Sequence, residues 1–160
     1  MTEKHGMSYP FQATDWIDGI NMDNLRVGRL KRAKMELFEK RKFGAFLSLN
    51  EWNTRYISST YTPPWTTPSS GLRYSLLVKG DDQPVVYEQG DIGYHTERFA
   101  PWLPTGNVKY AITGMGWIAR CMGEGAHEAA VKRFVDHIHV ELKRAGVEKE
   151  VLAMDFADPS

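Results

Sequence analysis

Residues 72–89 read LRYSLLVKGDDQPVVYEQ. Two β-rich apolar runs flank Gly80-Asp81-Asp82, residue types that turn a chain back on itself, so the stretch predicts an antiparallel hairpin. Pro84 can open the second strand without costing a ladder bond.

On the N-terminal side, MDNLRVGRLKRAKMELFEKRKFG (22–44) predicts a helix. Val27, Leu30, Ala33 or Lys34, Leu37 and Phe38 recur at the spacing of one buried face. Asp23 or Asn24 suits its cap, Lys40-Arg41-Lys42 its negative end, and Gly44 a left-handed stop. Glu36 and Glu39 interleave with the basic residues, the pattern of a solvated face rather than a nucleic-acid contact. AFLSL (45–49) reads as a buried central strand. NEWNTRYI then predicts a short helix capped by Asn50, carrying Trp52 and Tyr56 inward.

On the C-terminal side, DIGYHTERFAPWL reads as a helix broken before Pro101, and NVKYAIT as a further strand. GAHEAAVKRFVDHIHVELKRAG is a second long helix, with Val131, Phe134, Val135, Ile138 and Leu142 on one face and Gly146 ending it. EVLAMDFAD supplies one more strand. The order implies an α/β domain with a mixed sheet over residues 21–160, preceded by an aperiodic arm, 1–20, that carries Phe11 and Trp16.

Composition narrows the function classes. Twenty basic and twenty acidic residues leave no global field toward nucleic acid or anionic membrane. No apolar run is long enough to span a bilayer, and the opening MTEKHGMSYPFQATDW lacks the apolar centre of a secretory signal. The single cysteine, Cys121, excludes an internal disulfide framework and fits a reducing, cytoplasmic compartment.

The residues that carry chemistry are few. His137 and His139 stand two apart on a helix and diverge by roughly 200 degrees, so together they do not chelate an ion. His95 and Glu97, with Asp91 nearby, form a loose acid–base set. GMGWIARCMGEG, around Cys121, lacks both the Lys-Ser/Thr ending of a phosphate loop and dinucleotide spacing. More informative is RYISSTYTPPWTTPSSGLRYSLLV (55–78). Pro63, Pro64 and Pro68 stiffen the segment that presents Tyr61 and Trp65, and Arg73 heads the following strand, aimed outward. Rigid aromatics beside an Arg suit a small carboxylate or a cationic head group. They equally suit a cover for the sheet edge, or a subunit interface.

RVGRLKRAKMELFEKRKFGAFLSLNEWNTRYIS resembles the N-terminal domain of creatinase, prolidase and their relatives. The matching positions are Arg26, Arg29 and Leu30, then Gly44, the run Ala45 to Leu49, and Asn53 to Tyr56. The hairpin and VLAMD match the family's later elements, and the resemblance covers roughly residues 25 to 156.

The resemblance implies a ribonuclease-H-like mixed sheet flanked by helices. It also implies a domain incomplete at its C-terminus, because the chain stops before the helix and strand that usually complete it. Catalysis in that family belongs to a C-terminal pita-bread domain whose Asp, Asp, His, Glu, Glu set usually holds two divalent metals. No cofactor is expected in this chain. Dimers of the family pass the loop before the hairpin into the partner's active site, which would make Tyr61, Trp65 and Arg73 substrate-binding residues in trans. The aromatic loop is also similar to that of dimethylsulfoniopropionate lyases, while Xaa-Pro peptidase is the commoner family activity. The expected function is thus a non-catalytic domain of a metal-dependent hydrolase or lyase, with a homodimer partner and a small-molecule or short-peptide substrate. A stand-alone small-molecule binding module and an acid–base enzyme built on His95, Glu97 and Asp91 are the alternatives.

Overall fold

A computed structural model describes residues 19–60, 73–88, 92–111 and 123–155. Helix α1 (Met22–Lys34) runs into a π-helical turn (Met35–Lys40), followed by β1 (Ala45–Ser48) and α2 (Glu51–Ser58). The hairpin β2 (Tyr74–Val78) and β3 (Val85–Glu88) precedes α3 (Ile92–Phe99) and β4 (Val108–Tyr110). Helix α4 (Glu124–Arg144) and β5 (Leu152–Met154) complete the described chain.

The strands form one mixed sheet in the order β4-β3-β2-β1-β5. Strand β2 runs antiparallel to β1 and β3, whereas β1–β5 and β3–β4 are parallel. The hairpin therefore lies at the centre, and every residue of both its strands is buried. Alternation along β2 sorts its side chains between two helical layers. Tyr74, Leu76 and Val78 meet Ile138 and Phe134 of α4, while Leu77 packs with Leu30, Phe38 and Ile57 of the α1–α2 layer. On that same side Val86 packs with Ala100 and Leu103 beyond α3.

The expected elements all form, with several corrections of detail. Asn21, not Asp23 or Asn24, caps α1, accepting from the Asn24 amide at 2.9 Å. Val27 stays exposed, and the buried stripe is Leu30, Ala33, Leu37 and Phe38, re-phased by the π turn through the Arg41 N–H to Glu36 C=O bond. The left-handed residue after this helix is Lys42, at φ 60°, rather than Gly44. Gly44 is required for a different reason, since a Cβ there would stand 2.4 Å from Cβ of Glu150. Its backbone bonds both Val151 and Lys79, clamping β1 at the level where β5 begins.

Trp52 and Tyr56 face outward, because α2 turns Glu51, Thr54, Ile57 and Ser58 to the sheet. Those positions share one helical face, and a polar layer beneath them claims the hydroxyls. On α4 the inward residues are Ala130, Phe134, Ile138, Glu141 and Leu142, leaving Val131 and Val135 exposed, and Gly146 ends the helix at φ 69°. Among the described residues no helix is long and apolar enough to cross a membrane.

Candidate functional site

The hairpin register places a charge pair inside the protein. Tyr74 stands opposite Tyr87, so one step further along the ladder Arg73 stands opposite Glu88. Both lie on the sheet face away from α4, and neither is more than 1% exposed. Arg73 Nε donates to Glu88 Oε1 at 2.8 Å, and Thr96 of α3 donates its hydroxyl to the same oxygen at 2.8 Å. Sequence reading aimed Arg73 outward. The fold turns it inward because the positions on either side of Tyr74 share a face with Leu77, under α2.

From Arg73 a relay of hydroxyls runs into α2. Arg73 Nη2 donates to Thr60 Oγ1, which lies 2.7 Å from Ser58 Oγ, and Ser58 donates to the Thr54 carbonyl at 2.6 Å. Since Ser58 spends its proton on that carbonyl, the Thr60 hydroxyl donates to Ser58 and accepts from Arg73. Every bond in this relay then runs in one direction, and no two donors face each other. Trp102 Nε1 closes the end of α2 by donating to the Ser58 carbonyl at 2.8 Å, and Arg26 of α1 lies over the Trp102 ring at 5.0 Å.

A second polar branch crosses β1. Ser48 pairs with Ser75 across the sheet, and the Ser75 hydroxyl reaches Thr54 Oγ1 at 3.2 Å. Ser48 donates to Asp155 Oδ2 at 2.6 Å. The same carboxylate accepts from the Leu49 amide and from Asn53 Nδ2, each at 2.9 Å. One acid at the end of β5 thereby ties β5, β1 and the start of α2 together.

The cluster's position matters for function. Thr60 follows α2 and Arg73 precedes β2, so their bond ties together the two ends of the connection 61–72. Glu88 is the last residue of β3, where the chain leaves the sheet toward α3. One buried pair fixes the points where two connections leave the sheet. Among the described residues Glu88 Oε2 is buried with no hydrogen-bond partner. The Thr96 hydroxyl spends its proton on Glu88 inside the core, and the described part of the cluster holds the chain in place.

The other anticipated residues are dispersed. Tyr61, Trp65, Asp91 and Cys121 lie outside the described residues. His95 is exposed and packs between Tyr94 and Phe99 at centroid distances of 5.8 and 6.4 Å, while Glu97 points toward β4. Two positions apart on one helix, they do not converge. His137 stacks on Tyr87 at 6.2 Å and His139 is exposed, on diverging sides of α4. Among the described residues no group of three or more His, Cys, Asp or Glu side chains is placed to hold a metal ion.

A separate ion-pair chain occupies the opposite sheet face. Glu141 accepts from Lys109 and, at 2.8 Å, from Arg144, which also bonds Asp81 of the hairpin turn. Burial alone would raise the Glu141 carboxyl, but the two cations outweigh it and hold the group below the usual carboxylate range. The Tyr87 phenol is pushed well above its ordinary value, first by burial and then by the Glu141 charge.

Sequence reasoning reached Arg73 and missed Glu88, Thr60 and Thr96. A signal for Glu88 was present. Counting back from a turn centred between Gly80 and Asp81 pairs the lone Arg of one run with the lone Glu of the other, whereas a three-residue Gly80-Asp81-Asp82 turn pairs Arg73 with Gln89, so the signal rested on a register that the sequence left open. Compared with protein-family models and with curated proteins, the chain matches none.

Proposed function

We propose that this chain is the non-catalytic N-terminal domain of a metal-dependent hydrolase or lyase of the creatinase and Xaa-Pro peptidase kind. In this reading it contributes dimer contacts and offers Tyr61 and Trp65 to the substrate in a partner subunit's active site. The observation that supports the reading is the buried Thr60–Arg73–Glu88–Thr96 cluster, which anchors both ends of the segment carrying those aromatics. Anchored ends lower the entropy cost of presenting rings to a ligand. Arg73 acts here as a positioning residue whose guanidinium holds the neck. A five-stranded mixed sheet with helices on both faces is compatible with the ribonuclease-H-like fold that the resemblance implies. The metal pair is proposed for the separate catalytic domain, and no residue of this chain is assigned to it.

The test uses the complete assembly, this domain together with its catalytic domain, against a panel of Xaa-Pro dipeptides, creatine-like amidines and small sulfonium acids. Trp65→Ala and Tyr61→Ala are expected to lower kcat/KM by roughly tenfold on the substrate class that is turned over. Assembly mass and metal content should stay unchanged. Unaltered kinetics in both variants would remove the loop from the active site and return it to an edge cover or an interface.

A further inference from the structure

At the far edge of the sheet, strand β4 and helix α3 enclose a cleft of about 250 Å³ lined by Gly93, Tyr94, Glu97, Val108, Lys109 and Tyr110. Three of its features point to one kind of ligand. The first is aromatic surface, since Tyr94 is 63% and Tyr110 74% exposed, and rings this exposed beside a cleft mark an interaction site. The second is charge. The Glu97 carboxylate has no hydrogen bond or ion pair among the described residues, whereas the Lys109 ammonium leaves through the other face of the sheet to Glu141. Arg98, the nearest other cation on α3, approaches the Tyr94 hydroxyl at 3.4 Å and is not stacked on its ring. The cleft therefore offers two π faces and one unneutralised acid, the combination that attracts a guanidinium or ammonium group.

The third feature is the strand edge. Strand β4 is terminal in the sheet. Val86 N–H bonds the Asn107 carbonyl at 2.7 Å and Ala111 N–H bonds the Glu88 carbonyl at 2.8 Å, so odd-numbered positions of this strand turn their peptide groups toward β3. By alternation Val108 and Tyr110 turn theirs outward, where no further strand lies among the described residues. Edge strands are usually blunted by a Lys or a Pro. Here the edge lysine is withdrawn and an exposed tyrosine stands in its place.

We propose that this edge is a docking site for an extended segment of a partner protein, which adds as a strand beside β4 and lays a Lys or Arg side chain between Tyr94, Tyr110 and Glu97. Backbone pairing supplies the hold and the cationic side chain the selectivity. The site lies at the β4 edge, next to the buried Arg73 cluster through Glu88, which pairs with Tyr110, and it does not depend on the reading of the aromatic loop.

The test is direct binding to the full chain by an array of short peptides of alternating valine and threonine, with Arg, Lys, Gln or Glu at the centre. Arg and Lys peptides should bind roughly tenfold tighter than Gln, and Glu should bind least. Glu97→Gln should erase that order, and Tyr110→Ala should weaken the basic peptides by a similar factor. Both positions are exposed and neither change disturbs the core. N-methylation of the peptide backbone should abolish binding, and hydrogen exchange at the Val108 and Tyr110 amides should slow when peptide is added. Binding indifferent to the central charge would overturn the proposal. So would equal binding by N-methylated peptides or by a free alkylguanidinium, the latter making the cleft a small-molecule site.

Discussion

Arg73 and Glu88 form a buried pair, and a buried pair is weak evidence of net stability but strong evidence of mutual dependence. Removing one partner strands the other charge in the core. Arg73→Met and Glu88→Leu are each expected to cost about 3–5 kcal/mol in denaturant unfolding. The double variant should cost less than the two together, with a coupling on the order of 1–3 kcal/mol. Additive losses would mean that the two charges do not depend on each other. Gly44 is a second residue with a defined limit. Gly44→Ala would drive a methyl group into Glu150 and Val147, at an expected cost of about 1–3 kcal/mol, readable as a lowered Tm with an unchanged m-value.

At the level of elements, the hairpin shows why some of this structure was legible in sequence. Apolar runs, a Gly-Asp-Asp turn and the helical spacing of 22–44 and 125–146 are local signals, and each produced the expected element. The face presented by α2 was not legible. An apolar count sends Trp52 and Tyr56 inward, yet the helix buries Thr54 and Ser58 because hydroxyls on β1 and β2 and the Arg73 guanidinium wait beneath them. That demand comes from residues distant in sequence, and periodicity does not report it. The Lys109–Glu141–Arg144–Asp81 chain links β4, α4 and the hairpin turn in the same nonlocal way.

The sign of its pH dependence follows from Glu141, whose folded pKa lies below its unfolded value. Its contribution is complete above the unfolded pKa, about 4.3, and is lost as pH falls through the lower folded value. Glu141→Gln should therefore flatten the acid side of the stability profile below about pH 5 while leaving the alkaline side unaltered. An acid limb identical to the parent's would show that the ion-pair chain makes no difference to folding.

For the whole molecule, the proposed function makes the mixed sheet, with its buried polar cluster, a support for a catalytic centre carried by a separate domain. The two proposals then draw on one scaffold, whose buried Thr60–Arg73 bond ties the ends of segment 61–72 and whose β4 strand is terminal among the described strands. The measurement that tests this most directly is native mass spectrometry, with metal analysis, of the protein produced from its natural gene. The account predicts a species much heavier than the 18.2 kDa of this chain, dimeric, containing the Asp, Asp, His, Glu, Glu set and close to two metal ions per subunit. A stable 160-residue product that assembles with no catalytic partner would contradict it, and the aromatic segment would then stand as a binding site of this chain alone.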